Sequence, residues 1–294
     1  MSEALKKNYR VYDELGRGRF GVVYKAYSKI SGEPVAVKSI NKTQIGDCSL
    51  DRKCLYNEAK VMNKLSGVPH ILRFFEVYED ENFVHIVLER CNGSDLFGRI
   101  LSRNVFSEEE AFAVMRPLME AIAHCHRLGI AHRDIKPENV VFNDQNELKL
   151  ADFGSAEFFQ GDQLMSGVVG TPYYIAPEVV SHRDYNEKID IWSAGVILYM
   201  MLAGFPPFHG QSAKDIFEAV LRANLRFPTQ VFRSVSPTAK DLLRKMLTKD
   251  VHRRFSAEQV LRHPWMTSRG GGGGGNWPEA VAVCEASRSA AVLS

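Results

Sequence analysis

Three glycines near the start of the chain have a spacing that suits phosphate binding. They lie in the segment Gly16-Arg17-Gly18-Arg19-Phe20-Gly21-Val22-Val23. Because glycine has no side chain, backbone N–H groups in such a loop can approach phosphate oxygens closely. The same spacing occurs in dinucleotide-binding turns, but those need a preceding strand, a following helix and a parallel sheet. Strand-like sequence follows the glycines here, which favours a loop between two antiparallel strands.

Four short segments downstream carry polar groups in a fixed order. Lys38 ends an apolar, strand-like run, and His132-Arg133-Asp134-Ile135-Lys136-Pro137-Glu138-Asn139 places a candidate base, a cation and an amide within eight residues. Asp152-Phe153-Gly154 follows a second apolar run, and Ala176-Pro177-Glu178 lies further downstream. Each segment alone is compatible with an ordinary polar turn or a surface lysine. Together they provide the groups that chemistry on a bound phosphate requires.

The elements that must position these groups can be read from the apolar pattern. Between Tyr9 and Leu88 the apolar residues come in short β-rich runs separated by turn residues, which predicts an antiparallel sheet. One interruption has apolar residues at three- and four-residue spacing, which predicts a helix that carries Glu58. After Leu96 the pattern becomes mostly helical, beginning with a capping box at Ser107. The sequence predicts an α+β fold with a small antiparallel β-rich lobe, one key helix within it and a larger, mostly helical lobe.

This pattern divides the chain into three segments. Residues 1–8 form an N-terminal extension, and residues 9–266 form the folded domain, with lobes at about 9–90 and 91–266. Residues 267–294 contain six consecutive glycines and have no sustained periodicity. Chain entropy favours disorder in such a segment.

Composition and charge exclude several classes of protein. With 37 Lys and Arg against 35 Asp and Glu, the net charge is +2, so no nucleic-acid partner is expected. The five cysteines have no disulfide-framework or zinc spacing, which fits a reducing compartment.

The start of the chain lacks the apolar core of a signal peptide. The longest apolar stretch, 194–203, has half of the about 20 residues that cross a bilayer, which predicts a buried helix. We therefore expect a cytoplasmic protein without a membrane partner.

The motifs, taken in order, resemble the signature set of the protein kinases, and the resemblance covers residues 9–266. It implies the bilobal protein-kinase fold, ATP as phosphoryl donor, Mg²⁺ as cofactor and a protein as acceptor. The lysine two residues after Asp134 and the segment 170–178 are similar to those of serine/threonine kinases rather than tyrosine kinases. A monomer is the expected state for so small a domain.

The resemblance also implies catalytic roles for four residues. Lys38 would hold the α- and β-phosphates of ATP and pair with Glu58. Asp134 would orient the acceptor hydroxyl and accept its proton. Lys136 would steady the γ-phosphate. Each role serves alignment or charge neutralisation, on which phosphoryl transfer mainly depends.

Metal and nucleotide ligands are implied in the same way. Asn139 and Asp152 would hold Mg²⁺. The glycine-rich loop would cover the phosphates, an apolar clamp would enclose adenine, a connecting segment would bond the base through its backbone, and a carboxylate would contact the ribose. The implied nucleotide-binding residues are Gly16, Gly18, Gly21, Val23, Ala36, Lys38, Leu88, Glu89, Cys91, Asp95 and Val141.

Longer phrases resemble the plant phosphoenolpyruvate carboxylase kinases, a calcium/calmodulin-type family reduced to its catalytic core. These phrases span residues 150–157, 166–174, 185–193, 216–222 and 232–237. The resemblance implies a serine of phosphoenolpyruvate carboxylase as the acceptor. The sequence has no Asp-rich twelve-residue EF-hand loop, and the segment after Trp265 is too rich in glycine for a pseudosubstrate helix. We therefore expect neither calmodulin nor EF-hand regulation, and activity independent of calcium.

Two alternatives stay open at this point. A related calcium-independent serine/threonine kinase could act on a different protein, because substrate identity lies in surface grooves. In basophilic relatives, acidic groups at the positions of Glu138 and Asp95 attract a basic residue upstream of the target serine. A pseudokinase scaffold is the other alternative, and it predicts loss of catalytic or metal-binding residues. All of them are present in this sequence.

The resemblance bears on regulation as well. Arg133 precedes the catalytic aspartate, an arrangement that in many kinases requires a phosphate on the activation segment. The matching position here is Gly167, which predicts constitutive activity with Ser166 as the nearby substitute.

Three further implications concern residues outside the nucleotide site. Asp190 would brace the catalytic loop, and Arg254 would pair with Glu178. Cys48 and Cys54 lie just before or within the predicted helix of Glu58, so a disulfide or mixed disulfide there could displace that helix and switch activity off. Two ordinary thiols are the alternative.

Overall fold

The computed structural model describes residues 1–18, 21–44, 49–161 and 163–268, with the backbone alone for residues 44 and 49–56. Interpretations that concern the Cys48 and Cys54 thiols or the glycine-rich tail lie outside the described residues.

A five-stranded antiparallel sheet forms the smaller lobe, as predicted. The strands are β1 (Tyr9–Gly18), β2 (Gly21–Ser28), β3 (Pro34–Asn41), β4 (Phe74–Glu79) and β5 (Phe83–Glu89). Their order in the sheet is β1-β2-β3-β5-β4, and every neighbouring pair is antiparallel. Strands adjacent in sequence therefore pair with each other, except that β5 lies between β3 and β4.

The two faces of this sheet are covered by different helices. Successive strand residues point to opposite faces, and on β5 Ile86 joins the main core while Val87 joins a smaller one. Helix α2 (Ser49–Lys64) contributes Met62 to the main core. Glu58 lies one turn earlier on the same helix and faces the space between the lobes. The predicted helix is thus confirmed.

Helix α1 (Glu3–Asn8) covers the other face of the sheet. Ser2 caps it by accepting a hydrogen bond from the backbone N–H of Leu5 at 3.1 Å, and the Leu5 side chain is fully buried in the smaller core. Residues 1–8 therefore pack against the sheet, which the sequence pattern had not indicated.

The larger lobe is built around helix α6 (Ile189–Ala203), whose residues are buried on nearly every side. Its length and burial confirm the buried helix predicted from the apolar stretch at 194–203. Helix α4 packs against α6 and begins with the predicted capping box at Ser107. The helices are α3 (Leu96–Arg103), α4 (Glu108–Arg127), α5 (Pro177–Val180), α6 (Ile189–Ala203), α7 (Ala213–Arg222), α8 (Thr229–Phe232), α9 (Pro237–Met246), α10 (Ala257–Leu261) and α11 (Pro264–Thr267).

Two short strand pairs lie where the lobes meet. β6 (Ile130–Ala131) pairs with β9 (Glu157–Phe158), and β7 (Val140–Phe142) pairs with β8 (Leu148–Leu150), both antiparallel. The turns that follow β6 and β8 carry the polar motifs. One main apolar core runs through both lobes, which confirms the α+β fold. Within the described ranges, every helix is too short or too polar to span a lipid bilayer.

Candidate active site

A cavity of about 620 Å³ lies between the lobes. The sheet and α2 line it from one side, and the turns after β6 and β8 line it from the other. Most of the residues assigned to catalysis or nucleotide binding line this cavity. These are Gly16, Gly18, Gly21, Val23, Ala36, Lys38, Glu58, Leu88, Glu89, Cys91, Asp134, Lys136, Val141 and Asp152.

The glycine-rich loop joins β1 to β2 as an antiparallel hairpin, with Gly18 opposite Gly21. A Cβ atom on Gly21 would lie 2.2 Å from the carbonyl oxygen of Ser39, so glycine is required there for β2 to approach β3. At the equivalent positions on Gly16 and Gly18, no atom of a described residue lies within 4 Å once the two chain neighbours are left aside. These two glycines therefore leave open space beside the cavity, as backbone approach to a phosphate requires.

Lys38 lies between two carboxylates. Its Nζ is 2.6 Å from Oε1 of Glu58 and 2.7 Å from Oδ1 of Asp152. The side chains of Lys38 and Glu58 are almost fully buried, while that of Asp152 is 44% exposed. The cluster thus connects β3, α2 and the turn after β8 across the cavity.

Burial and charge act against each other in this cluster. Burial opposes the charge on Lys38, but the attraction of Glu58 and Asp152 outweighs it and raises the pKa of Lys38. Lys38 lowers the pKa of Asp152 to about 2, although burial partly opposes the shift. Burial raises the pKa of Glu58, and the attraction of Lys38 only partly offsets it. Asp152 is therefore the carboxylate that stays ionised most firmly.

Asp134 lies at the opposite wall of the cavity, where its carboxylate contacts Lys136 and Thr171. Its Oδ2 is 2.7 Å from Nζ of Lys136, and its Oδ1 accepts a hydrogen bond from the hydroxyl of Thr171 at 3.1 Å. The amide Nδ2 of Asn139 donates to the backbone carbonyl of Asp134 at 2.8 Å. These contacts fix both carboxylate oxygens within reach of the cavity.

Asp190, buried at the start of α6, holds the loop that carries Asp134. Its two carboxylate oxygens accept hydrogen bonds from the backbone N–H groups of His132 and Arg133, each at 2.9 Å. The ring Nε2 of His126 lies 2.9 Å from the same carboxylate. Burial opposes ionisation, yet the contact with His126 and the backbone hydrogen bonds lower the pKa of Asp190. The bracing role expected for Asp190 is confirmed.

Part of the cavity lining is apolar. Val23, Ala36, Leu88 and Val141 line it from both lobes. Cys91 lies beside them on the segment that connects the lobes, and burial raises the pKa of its thiol to about 12. Apolar side chains from both lobes suit a heteroaromatic ring such as a nucleotide base.

The sequence profile described as Protein kinase domain matches residues 9–266. The chain belongs to the protein kinase family. The kinase domain is of the serine/threonine type, and kinases of this family use ATP and Mg²⁺.

Plant kinases are among the similar proteins. Calcium-dependent protein kinase 33 of Arabidopsis thaliana is 43% identical over 271 residues, which are 91% of this chain and 52% of that protein. Calcium-dependent protein kinase 19 of Oryza sativa subsp. japonica is 42% identical over 261 residues, with coverage of 88% and 49%. Calcium-dependent protein kinase 2 of Zea mays is 41% identical over 271 residues, with coverage of 91% and 52%. The chain spans about half the length of the curated relatives it matches.

Two predicted site residues do not line the cavity of the kinase domain. The Asp95 carboxylate caps α3 by accepting a hydrogen bond from the backbone N–H of Gly98 at 2.8 Å. Asn139 is buried behind Asp134. Its amide nitrogen donates in that contact, and its amide oxygen is the atom with the lone pairs that a metal ligand requires.

Several cavity residues had not been assigned to the site from sequence. Leu15 directly precedes the glycine-rich loop and Ala151 directly precedes Asp152, so their adjacency was an available signal. Thr171 had served as a marker of acceptor class, but its hydrogen bond to Asp134 was not foreseen. The residues in question are Leu15, Leu72, Arg90, Ala151, Ser155, Gly170 and Thr171.

The oxygen atoms of Asp152 and Asn139 suit Mg²⁺, which prefers carboxylate and other oxygen ligands and keeps part of its water shell. One carboxylate oxygen of Asp152 contacts Lys38, which leaves the other for a ligand. The donor set of this site therefore fits the ion.

Proposed function

We propose that the kinase domain transfers the γ-phosphoryl group of ATP to the hydroxyl of a serine or threonine in a protein. One observation carries the proposal: Lys38, held between Glu58 and Asp152, faces the same cavity as Asp134. A cation fixed on one wall and a carboxylate on the other suit a polyphosphate and a hydroxyl brought into line.

In the proposed reaction, Asp134 accepts the hydroxyl proton as the acceptor oxygen forms a bond to the γ-phosphorus. The bond from the γ-phosphorus to the bridging oxygen breaks, and ADP leaves with that oxygen. Lys38 would neutralise the α- and β-phosphates, and Lys136 the γ-phosphoryl group. The hydroxyl of Thr171 donates a hydrogen bond to the Asp134 carboxylate at 3.1 Å. This contact supports the orientation that Asp134 needs to accept the proton.

Mg²⁺, held by Asp152 and Asn139, would supply charge neutralisation for the phosphates. The chain's own contribution is to orient these two oxygen ligands. Lys38 keeps Asp152 ionised, and the contact with the backbone of Asp134 orients the Asn139 amide. The glycine-rich loop would close over the phosphates with its backbone N–H groups.

For the acceptor we propose a serine of phosphoenolpyruvate carboxylase, and we propose that transfer needs no calcium. The support is the resemblance of the phrases at 150–157 and 166–174 to the kinases of that enzyme. Glu138 lines the cavity, and burial raises the pKa of its carboxyl. An acidic group here supports a preference for substrates with a basic residue upstream of the serine.

We also propose a cytoplasmic location and a monomeric state. Within the described part of the chain, Cys91 and Cys125 are free thiols, which is typical of a reducing compartment. Imaging of a fluorescent fusion and light scattering of the purified chain test these two points. Signal confined to a membrane or a mass of two chains would contradict them.

The first experiment measures transfer of labelled phosphate from Mg²⁺-ATP to purified plant phosphoenolpyruvate carboxylase, with calcium chelated. A generic basic peptide is the second acceptor, and Asp152→Asn is the inactive control. Label on a serine of the carboxylase with the wild-type chain alone supports the kinase, the substrate and calcium independence together.

Two other outcomes discriminate among the alternatives. Label on the peptide but not on the carboxylase supports a serine/threonine kinase with a different protein substrate, which is the second candidate function. Activity that appears only when calcium is restored contradicts calcium independence. No label on either acceptor, with or without calcium, favours the scaffold hypothesis over the enzyme.

A further inference from the structure

Arg133 is a buried cation next to the proposed catalytic base. Its side chain is 4% exposed, and its backbone adopts a left-handed conformation with φ of 68°. Its backbone N–H is held by Asp190. Because a buried guanidinium without a counter-charge is strongly unfavourable, the group that neutralises Arg133 affects the conformation of the loop that carries Asp134.

Glu157 supplies this counter-charge. Its Oε2 is 2.8 Å from Nη1 of Arg133. Among the residues that the structure describes, the other acceptors of the guanidinium are neutral: the carbonyl of Ser155 at 2.7 Å from Nε, and the hydroxyl of Tyr185 at 3.1 Å from Nη1. The hydroxyl of Tyr185 in turn donates a hydrogen bond to the backbone carbonyl of Ser166 at 3.1 Å. Within the described ranges, the cation is thus paired with one carboxylate and connected through Tyr185 to the segment around Ser166.

This ion pair joins the two segments that carry the reactive carboxylates. Strands β6 and β9 pair with Ala131 opposite Glu157. Asp134 lies one residue after Arg133, and Asp152 lies five residues before Glu157. The contact between Arg133 and Glu157 therefore restrains the distance from the proposed base to the proposed metal ligand.

The same short segment also contacts the helix of Glu58. The Nδ2 of Asn57 donates to the backbone carbonyl of Ala156 at 2.7 Å. Residues 155–157 thus contact Arg133 through Ser155 and Glu157, and helix α2 through Ala156. A change at Glu157 reaches both sides of the active site through these contacts.

We propose that Glu157 is a positioning residue which takes the place of an activation-segment phosphate by neutralising Arg133. Gly167 stands at the position where the sequence resemblance implies that phosphate, and glycine carries no hydroxyl to modify. A side-chain carboxylate is a permanent charge near neutral pH, whereas a phosphate must be added and removed. The proposal rests on the proposed kinase function, and it predicts full activity of the unphosphorylated chain.

The test compares variants of the whole chain after phosphatase treatment, with removal of phosphate verified by mass spectrometry. Glu157→Gln keeps the shape and removes the charge, while Glu157→Asp keeps the charge. Arg133→Met and the double variant Arg133→Met/Glu157→Gln complete a double-mutant cycle. Glu258→Gln is the matched control, because it removes the carboxylate of an exposed Arg–Glu pair of similar length, 2.9 Å, at the C-terminal end of α10. The readouts are kcat and KM for a basic peptide and for ATP, with melting temperature as the folding check.

We expect the unphosphorylated wild type to be active and Glu157→Gln to lose about tenfold or more in kcat, with KM for ATP changed less than about threefold. Glu157→Asp is expected to recover much of the activity. In the Arg133→Met background the same Gln substitution is expected to change kcat less than about twofold, since the charge has no partner left. A merely structural role would instead leave the two substitutions additive.

Other results overturn the inference. Equal kcat in Glu157→Gln and wild type, with both active, rejects the role of Glu157 and leaves the kinase function intact. Wild-type activity that disappears with phosphatase treatment rejects the substitution for a phosphate. If Glu157→Gln does not fold, Glu157→Asp and Glu157→Gly are compared instead. Equal kcat in these two variants, when both are folded, rejects the need for a negative charge at this position. An inactive wild type before and after treatment rejects the proposed function itself.

Discussion

Two buried ion pairs in this molecule have the same contact distance but different surroundings. Lys38 and Glu58 meet at 2.6 Å beside the cavity, and Arg254 and Glu178 meet at 2.6 Å inside the helical lobe. The pair expected between Arg254 and Glu178 is thereby confirmed. In each pair both side chains are largely removed from solvent. Distance and burial alone therefore do not distinguish the two sites.

The remaining contacts of the two cations differ. The Arg254 guanidinium binds Glu178 through two nitrogens and also donates to the carbonyls of Thr248, Lys188 and Lys249. It also lies over the ring of Trp192, with its Cζ 5.1 Å from the ring centroid. A guanidinium satisfied on all sides by protein has no position for a ligand, so this pair belongs to the fold.

Lys38 shares its ammonium group between two carboxylates at the wall of an open cavity. One of the two, Asp152, is also partly exposed to solvent. An ammonium ion has three donors that rotate freely, so Lys38 can contact a phosphate without breaking both existing contacts. The pair that opens to the cavity on one side is therefore suited to ligand binding, whereas the enclosed pair contributes to stability.

The largest expected effect is on stability, at the enclosed pair. Glu178→Ala leaves the Arg254 charge buried without its carboxylate, which we expect to cost about 3–5 kcal/mol in the free energy of unfolding. Chemical denaturation and the melting temperature measure this change, and Arg254→Ala is expected to behave similarly. A melting temperature equal to that of the wild type in either variant would show that the pair is not essential to the fold.

A smaller effect, on activity, is expected at the open pair. Lys38→Met removes a fixed charge from the phosphate site, so we expect about a 10²-fold loss in kcat/KM, or about 2.7 kcal/mol. Stability should fall less than in Glu178→Ala, because burial already raises the pKa of Glu58 and so eases its protonation. Peptide phosphorylation and melting temperature should be measured on the same sample. Loss of folding as large as in Glu178→Ala would remove the contrast between the pairs.

Acid is expected to weaken the open pair through Asp152. The pKa of this carboxyl falls from 3.8 to about 2 on folding. A lowered pKa adds stability above the unfolded value, and that stability is lost as the pH falls from about 4 towards 2. Because Asp152 is partly exposed, solvent screens the effect. Urea unfolding between pH 5 and 3 should show a shallower pH slope for Asp152→Asn than for wild type, and identical slopes would contradict this assignment.

The smallest effect is expected at an exposed pair of similar length. Glu258 on α10 and Arg262, the residue directly after this helix, meet at 2.9 Å on the surface. Glu258→Gln is expected to change the free energy of unfolding by no more than about 0.5 kcal/mol, since solvent screens exposed pairs. Thermal unfolding alongside Glu178→Ala provides the comparison. A loss comparable to that of the enclosed pair would mean that burial does not set the scale of these effects.

Local features of the structure could be predicted because they depend on neighbouring residues. The capping box at Ser107, the antiparallel hairpin at the glycine-rich loop and the helix that carries Glu58 each follow from spacing within about one or two turns. Most of the residues assigned to the site line one cavity, whereas Asp95 and Asn139 lie outside its lining. Helix α1 was missed because its single buried residue, Leu5, creates no periodic pattern.

By itself the sequence determined the strand and helix pattern, the order of the motifs and the family to which the kinase domain belongs. These properties depend on residue types and short spacings. Only the tertiary structure decided which distant groups meet: Thr171 with Asp134, 37 residues apart, and Glu157 with Arg133. The physical reason is that such contacts depend on the path of the whole chain, including the pairing of β6 with β9. A carboxylate on an exposed turn and one that neutralises a buried arginine have the same side chain, and only packing distinguishes them.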